Sequence, residues 1–168
     1  RTVFNLLGPL CNPAQTSHQV LGVFAPDLTP IMAEALKQLG VQEAMVVSAL
    51  DGLDEISLSG PTQISHLKAG QIETFIFTPE DLGLTSQPLE SVAGADAAFK
   101  ACLIEDIFTG AKQGAPRDIV ALNAAASLHI TAQADNLSEG LALAYQLIDS
   151  GRVMKTLESL RKINDSIR

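Results

Sequence analysis

Apolar residues follow two rhythms along this chain. Residues 18–25, HQVLGVFA, are apolar and β-branched and predict a strand. In the next stretch, DLTPIMAEALKQLG, residues Leu28, Ile31, Met32, Ala35, Leu36 and Leu39 recur at helical spacing. Asp27 or Thr29 suits the start of that helix, and Gly40 suits a left-handed stop. Residues 43–50, EAMVVSAL, form a continuous apolar run, the mark of a strand covered on both faces. Strand, helix, strand in that order is a right-handed βαβ unit, which makes the two strands parallel neighbours. Residues 56–58 and 62–67 look like short strands, and 71–78, QIETFIFT, like a hairpin partner after Ala69-Gly70. PEDLGL is a turn. Helical patterns then fill residues 95–109, 116–132, 138–149 and 152–163, with Ser138 and Gly151 as start and stop signals. The fold class expected is α/β.

Composition narrows the function. The chain has 168 residues, 46% hydrophobic, with no Trp and few aromatics, so one core of Leu, Ile, Val and Ala is expected. Its net charge of −8 argues against a duplex-binding surface, which is normally basic. No apolar run is long enough to span a bilayer and no signal peptide is visible, so no membrane partner is expected. Cys11 and Cys102 form no CxxC pair and read as reduced thiols of a cytoplasmic protein. The chain opens on RTVFNLLGPL, an apolar run already in progress, which reads as the interior of a longer protein.

Two local features carry candidate chemistry. The strand ending at residue 50 breaks into DGLDE, which sets Asp54 and Glu55 side by side just past a strand end, where parallel α/β sheets place their ligands. Two carboxylates in a turn suit Mg²⁺, which uses one or two carboxylates and completes its shell with water and substrate phosphate. A solvated acidic turn reads the same way, and Asp51 is an equal candidate for the turn-former. Earlier, LLGPLCNPA holds Gly8-Pro9 and Asn12-Pro13, which predict a rigid loop. Such a loop offers a wall to a flat ligand, or is a plain connector.

Together these stretches resemble a family. RTVFNLLGPLCNPA followed by DGLDE is similar to the anthranilate phosphoribosyltransferases, and HQVLGVF, FTPEDLGL, TGAKQGAPRDIVALNAAASL and IDSG agree. The resemblance spans essentially the whole chain. It implies a catalytic domain of the nucleoside phosphorylase/phosphoribosyltransferase type, a parallel-rich mixed sheet flanked by helices. It implies attack of the anthranilate nitrogen on C1 of phosphoribosyl pyrophosphate (PRPP), with pyrophosphate leaving, a step of tryptophan biosynthesis. Asp54 and Glu55 match the acid pair that takes part in Mg²⁺–PRPP binding, and Gly8-Pro9 match the Gly-Pro bordering the anthranilate site. No general base is evident, and an aniline-type nitrogen needs none at neutral pH.

What the resemblance implies is not all present. The family's GTGGD-type PRPP loop, its KHGNR-like stretch and an anthranilate-contacting arginine do not occur in these 168 residues, and Arg1 belongs to a different motif. Residues 1–10 are therefore expected to be a remnant of the helical domain and hinge, and 11–168 the C-terminal part of the catalytic domain, inactive alone. The family implies a homodimer formed through the absent helical domain. Ser48-Ala49 and Lys100 depart from the family's usual His-Gly and Asn. A nucleic-acid-binding relative is the alternative, disfavoured by the charge and the intact acid pair. A nucleoside phosphorylase relative would share the fold, but the first motif points away from it. His18, His66 and His129 are isolated, with no HxxxH or HExxH, and read as structural or surface residues. Asn123 shares a helical face with Ile119, Ala126 and Ile130 and reads as a satisfied core amide. TGAKQGAPRD is no Walker A motif but a loop and helix start, with Pro116 in the first turn. SLRKINDSIR is a mildly basic, solvated tail.

Overall fold

The computed structural model describes residues 4–92, 94 and 96–167. Arg1 and Thr2 of the first motif lie outside them. The βαβ unit forms as the pattern predicts. Strand β1 (His18–Gly22) pairs in parallel with β2 (Glu43–Ala49), and helix α2 (Leu28–Gln38) crosses between them. Strands β3 (Thr62–Lys68) and β4 (Gln71–Phe77) complete a mixed sheet of order β1-β2-β3-β4, both added antiparallel. Helices α3 (Ala97–Phe108), α4 (Ala115–Ile130), α5 (Leu137–Asp149) and α6 (Arg152–Ile167) follow, with α1 (Phe4–Leu10) at the start.

Strand β2 is covered on both faces, which explains its unbroken apolar run. Ala44 and Val46 pack with Met32, Ala33, Leu36 and Leu67 on the α2 side. Met45 and Val47 pack with Leu122, Ala126 and Ile130 of α4 on the other. A third cluster joins α4 to α5 through Ala121, Ala125, Leu141 and Ala144. There Gly140 lets the helices close up, since a methyl group on it would lie 2.7 Å from the Ala125 carbonyl oxygen. No helix among the described residues is long and apolar enough to cross a membrane.

Some local expectations need correction. The buried stripe of α2 is Thr29, Met32, Ala33 and Leu36, whereas Ile31 and Leu39 are exposed. Asp27 occupies the N-cap without a side-chain bond, and the Thr29 side chain bonds to the sheet rather than capping the helix. The Thr29 hydroxyl accepts hydrogen bonds from Gln63 Nε2 and Ser65 Oγ, each at 2.8 Å, and Ser65 Oγ lies 2.8 Å from Thr74 Oγ1. Residues 56–58 form no strand. The peptide groups of Ile56 bond to the Asn123 side chain, and the Ser57 N–H donates to Thr62 Oγ1, so no ladder is available to them. Ile56 and Leu58 still face the core, which gave the stretch its strand-like alternation. Gly8-Pro9 is not in a loop but inside α1. Pro9 removes one i→i−4 bond, and the helix ends one residue later. Finally, α5 is capped by Asn136 rather than Ser138: its side chain accepts from the Glu139 N–H at 2.9 Å. Gly40 and Gly151 do terminate α2 and α5, at φ +86 and +70.

Candidate functional site

The turn after β2 distributes its three acids between two tasks. Gly52, at φ +98, reverses the chain, and the Ala49 N–H donates to the Leu53 carbonyl at 2.9 Å. Asp51 holds this turn together. Its carboxylate accepts from the Leu53 N–H at 3.0 Å and from the hydroxyls of Ser57 and Ser59. Burial alone would push the Asp51 carboxyl up, but these hydrogen bonds outweigh it and hold the group below its ordinary value. Asp54 and Glu55 are exposed, and neither carboxylate has a hydrogen bond or ion pair with any described residue. Asp51 is thus the turn-former, and the adjacent pair is left with its acceptor capacity unspent.

Two contacts fix where that pair stands. Gly22 ends β1 directly beneath it, and a methyl group there would lie 1.6 Å from the Asp54 carbonyl oxygen. Only glycine admits the Asp54 backbone at this distance. From the other side, the Asn123 amide clamps Ile56, accepting from its N–H and donating to its carbonyl, both at 2.9 Å. Asn123 also donates to the Ile119 carbonyl at 3.0 Å, so it is the satisfied amide expected of it, and its location makes it the peg between α4 and the acid turn. Asp54 and Glu55 share a cleft of about 410 Å³ with Val20, Gly22, Val47 and Asn123, at the carboxyl ends of β1 and β2. The glycine inside HQVLGVF was the one sequence signal for this close approach.

The other expected site residues lie elsewhere. Pro9 lines a separate cavity of about 420 Å³ with Leu10, Asn12 and Leu39, and its carbonyl accepts from Gln19 Nε2 at 3.3 Å. The structure therefore does not bring Gly8-Pro9 and the acid pair into one cavity. Ser48 and Ala49 are buried at the end of β2, and Lys100 is exposed on α3. Cys11 and Cys102 are exposed free thiols.

The histidines are less isolated than their sequence positions imply. His66 on β3 and His129 on α4 meet edge to face, ring centres 5.6 Å apart. His66 Nε2 lies 3.0 Å from Glu43 Oε1 on β2, and Lys68 Nζ lies 3.1 Å from the same oxygen. Burial pushes the His66 imidazole below its ordinary value, and Glu43 restores only part of this. This cluster stands at the end of β2 opposite the acid turn.

Comparison with known proteins agrees with this geometry. Anthranilate phosphoribosyltransferase from Brevibacillus brevis is 45% identical over 97% of this chain and 48% of its own length. The Mesorhizobium japonicum enzyme of that name is 46% identical over 98% of this chain and 48% of its own. Among solved structures, anthranilate phosphoribosyltransferase from Thermus thermophilus superposes with a TM-score of 0.87 at 40% identity, covering 95% of this chain and 46% of that one. The Saccharomyces cerevisiae enzyme in complex with PRPP and Mg superposes with a TM-score of 0.84 at 30% identity, covering 94% and 46%. The chain spans about half the length of the curated relatives it matches. The model of the glycosyl transferase family, a/b domain, matches residues 1–154, and with the mixed sheet and the clefted acid turn in place the chain belongs to that family.

Proposed function

We propose that the protein carrying this chain transfers the phosphoribosyl group of PRPP to anthranilate, releasing pyrophosphate, and that Asp54 and Glu55 hold Mg²⁺ on the diphosphate side of the site. The carrying observation is the division of labour in one turn. Asp51 spends its carboxylate on the fold, while Asp54 and Glu55 keep theirs open at the strand ends. Exposed, unpartnered carboxylate oxygens are the hard donors that Mg²⁺ accepts alongside water and phosphate. Mg²⁺, when bound, neutralises charge growing on the leaving diphosphate. The chain's own residues then have positioning roles. Gly22 and Asn123 fix the height and angle of the acid pair, and Asp51 keeps the turn closed. Gly8 and Pro9 border the acceptor, where residues 1–10 join the remainder of a longer, homodimeric protein. The protein acts in the cytoplasm, consistent with two free thiols.

Held by itself, the 168-residue chain should not turn over. Proximity supplies on the order of 7–11 kcal/mol of a two-substrate barrier in favourable cases, and only part of the site is here. The test uses the full-length protein. In Asp54→Asn with Glu55→Gln, two charges disappear at nearly constant shape. The steady-state rate should fall by orders of magnitude, its Mg²⁺ dependence should move to higher concentration, and the melting temperature should hold or rise as like charges are relieved. A near-wild-type rate with an unmoved Mg²⁺ curve would make the pair a solvated turn. The nucleic-acid-binding alternative gains nothing from a chain of net charge −8.

A further inference from the structure

Glu43, His66 and His129 come from three elements far apart in sequence, yet one ligating atom of each lies within 4.8 Å of the others. Each is partly buried. His129 is already oriented: its Nδ1 lies 3.2 Å from the Ala134 carbonyl. A carbonyl oxygen only accepts, so Nδ1 carries the proton and the neutral ring keeps its lone pair on Nε2. A backbone carbonyl behind one ring nitrogen is the usual support of a metal-bound histidine. The Glu43–His66 contact of 3.0 Å is also close to the spacing of two ligands on one tetrahedral ion, on the order of 3.3 Å for bonds of about 2.0 Å. His66 and His129 also line, with Met45 and Phe77, a cleft of about 470 Å³ through which water can reach a fourth position.

From these contacts we infer that Glu43, His66 and His129 form a binding site for a borderline-soft divalent ion of the zinc class, distinct from the Mg²⁺ position at Asp54 and Glu55. Two imidazoles and one carboxylate with an open fourth position match zinc, whereas Mg²⁺ prefers oxygen alone. Binding needs one proton shift within His66, from Nε2 to Nδ1, which frees Nε2 for the ion without net proton release. Lys68 must leave Glu43 Oε1, and as a side chain 57% exposed it can turn to solvent. The ion would join the C-terminal end of α4 to β2 and β3.

The experiment is a titration of the metal-stripped, full-length protein with Zn²⁺ by calorimetry and with Co²⁺ by visible absorption. Excess Mg²⁺ is present throughout to fill oxygen-rich sites. One Zn²⁺ per chain and tetrahedral Co²⁺ bands are expected. Both should weaken at least about tenfold in His66→Gln and in His129→Gln, the loss that even an outer partner of a metal ligand causes. His18→Gln should behave as wild type. Should the ligand variants fail to fold, Lys68→Met retains all three ligands and removes the competing cation, so its Zn²⁺ affinity must rise. Absence of binding, equal binding by both folded histidine variants, or an affinity unmoved in Lys68→Met would overturn the site. None of these readouts depends on phosphoribosyl transfer.

Discussion

The two ends of β2 carry carboxylates in opposite circumstances. At its carboxyl end, Asp54 and Glu55 are exposed and unpartnered, set on a glycine-cleared backbone. At its amino end, Glu43 is largely covered and bonded to both His66 and Lys68. One end is built of hard oxygens open to water; the other sets two imidazoles beside a carboxylate. The difference teaches that an acid's role is legible from what its oxygens already bind. Asp51 makes the same point at closer range, since it shares a turn with Asp54 and Glu55 and spends its carboxylate on three internal donors.

The strongest way to break the comparison is Gly22→Ala. Its new methyl group would collide with backbone, which no rotamer change relieves, so the acid turn must move. Activity of the full-length protein should fall by orders of magnitude and stability by about 1–3 kcal/mol, the usual range for overpacking. Zn²⁺ binding at the opposite end should be unaltered, as calorimetry on the same variant would show. Loss of both together would mean that the ends are not independent.

Asp51→Asn tests the turn itself. The folded carboxyl lies below its ordinary value, so its contribution to stability is present above the unfolded value of about pH 4 and fades as pH falls through the folded one. Denaturation of wild type and variant should therefore differ at neutral pH and converge in acid. A rate loss of about tenfold, equal to ~1.4 kcal/mol, is expected because Asp54 and Glu55 remain but are less well held. A difference in stability that does not shrink at all as pH is lowered through the acid range would remove the charge from the explanation.

Gly8→Ala sharpens the acceptor side. A methyl group at Gly8 meets no atom within 4 Å, and the residue lies in a helix, so α1 should gain up to about 1 kcal/mol. Any rise in the anthranilate KM, a few-fold and without a matching rise for PRPP, would then report the ligand rather than the fold. Equal changes in both constants would count against Gly8 as an acceptor wall. The smallest effect on activity belongs to Tyr145→Phe. The Tyr145 hydroxyl donates to Asp118 at 2.7 Å and holds α5 against the first turn of α4. Chemical denaturation should show a loss of about 1 kcal/mol, with kcat unchanged.

Much of this was readable from the chain because period decides face. The strands at His18–Gly22 and Glu43–Ala49 and the helix between them follow from alternation and helical spacing alone. Ile56 to Leu58 misled because burial set their alternation while side chains of Asn123 and Thr62 took their backbone bonds. Gly8-Pro9 misled because those residues favour turns; here the helix forgoes the one bond that Pro9 cannot make and ends one residue later. The acid pair was legible as a motif. What Gly22 does for it was not, since the contact joins the end of one strand to a turn leaving another. The Glu43–His66–His129 cluster depends on the register of β2 with β3 and on where α4 comes to rest, and no local spacing encodes either.

The hydroxyl seam of Thr29, Ser65 and Thr74, extended by Gln63, has a consequence for folding. Thr29 and Ser65 are fully buried, so these bonds must form between particular partners or not at all. A one-residue slip of β3 would turn Ser65 and Gln63 to the α4 face and point Ile64 and His66 at α2. Apolar replacement of Thr29 and Ser65 together would leave the net attraction of helix for sheet nearly unchanged, yet admit neighbouring alignments. The seam selects among ways of docking more than it strengthens any one of them, and it makes this half of the fold a single conformer rather than a family of near-equivalent ones.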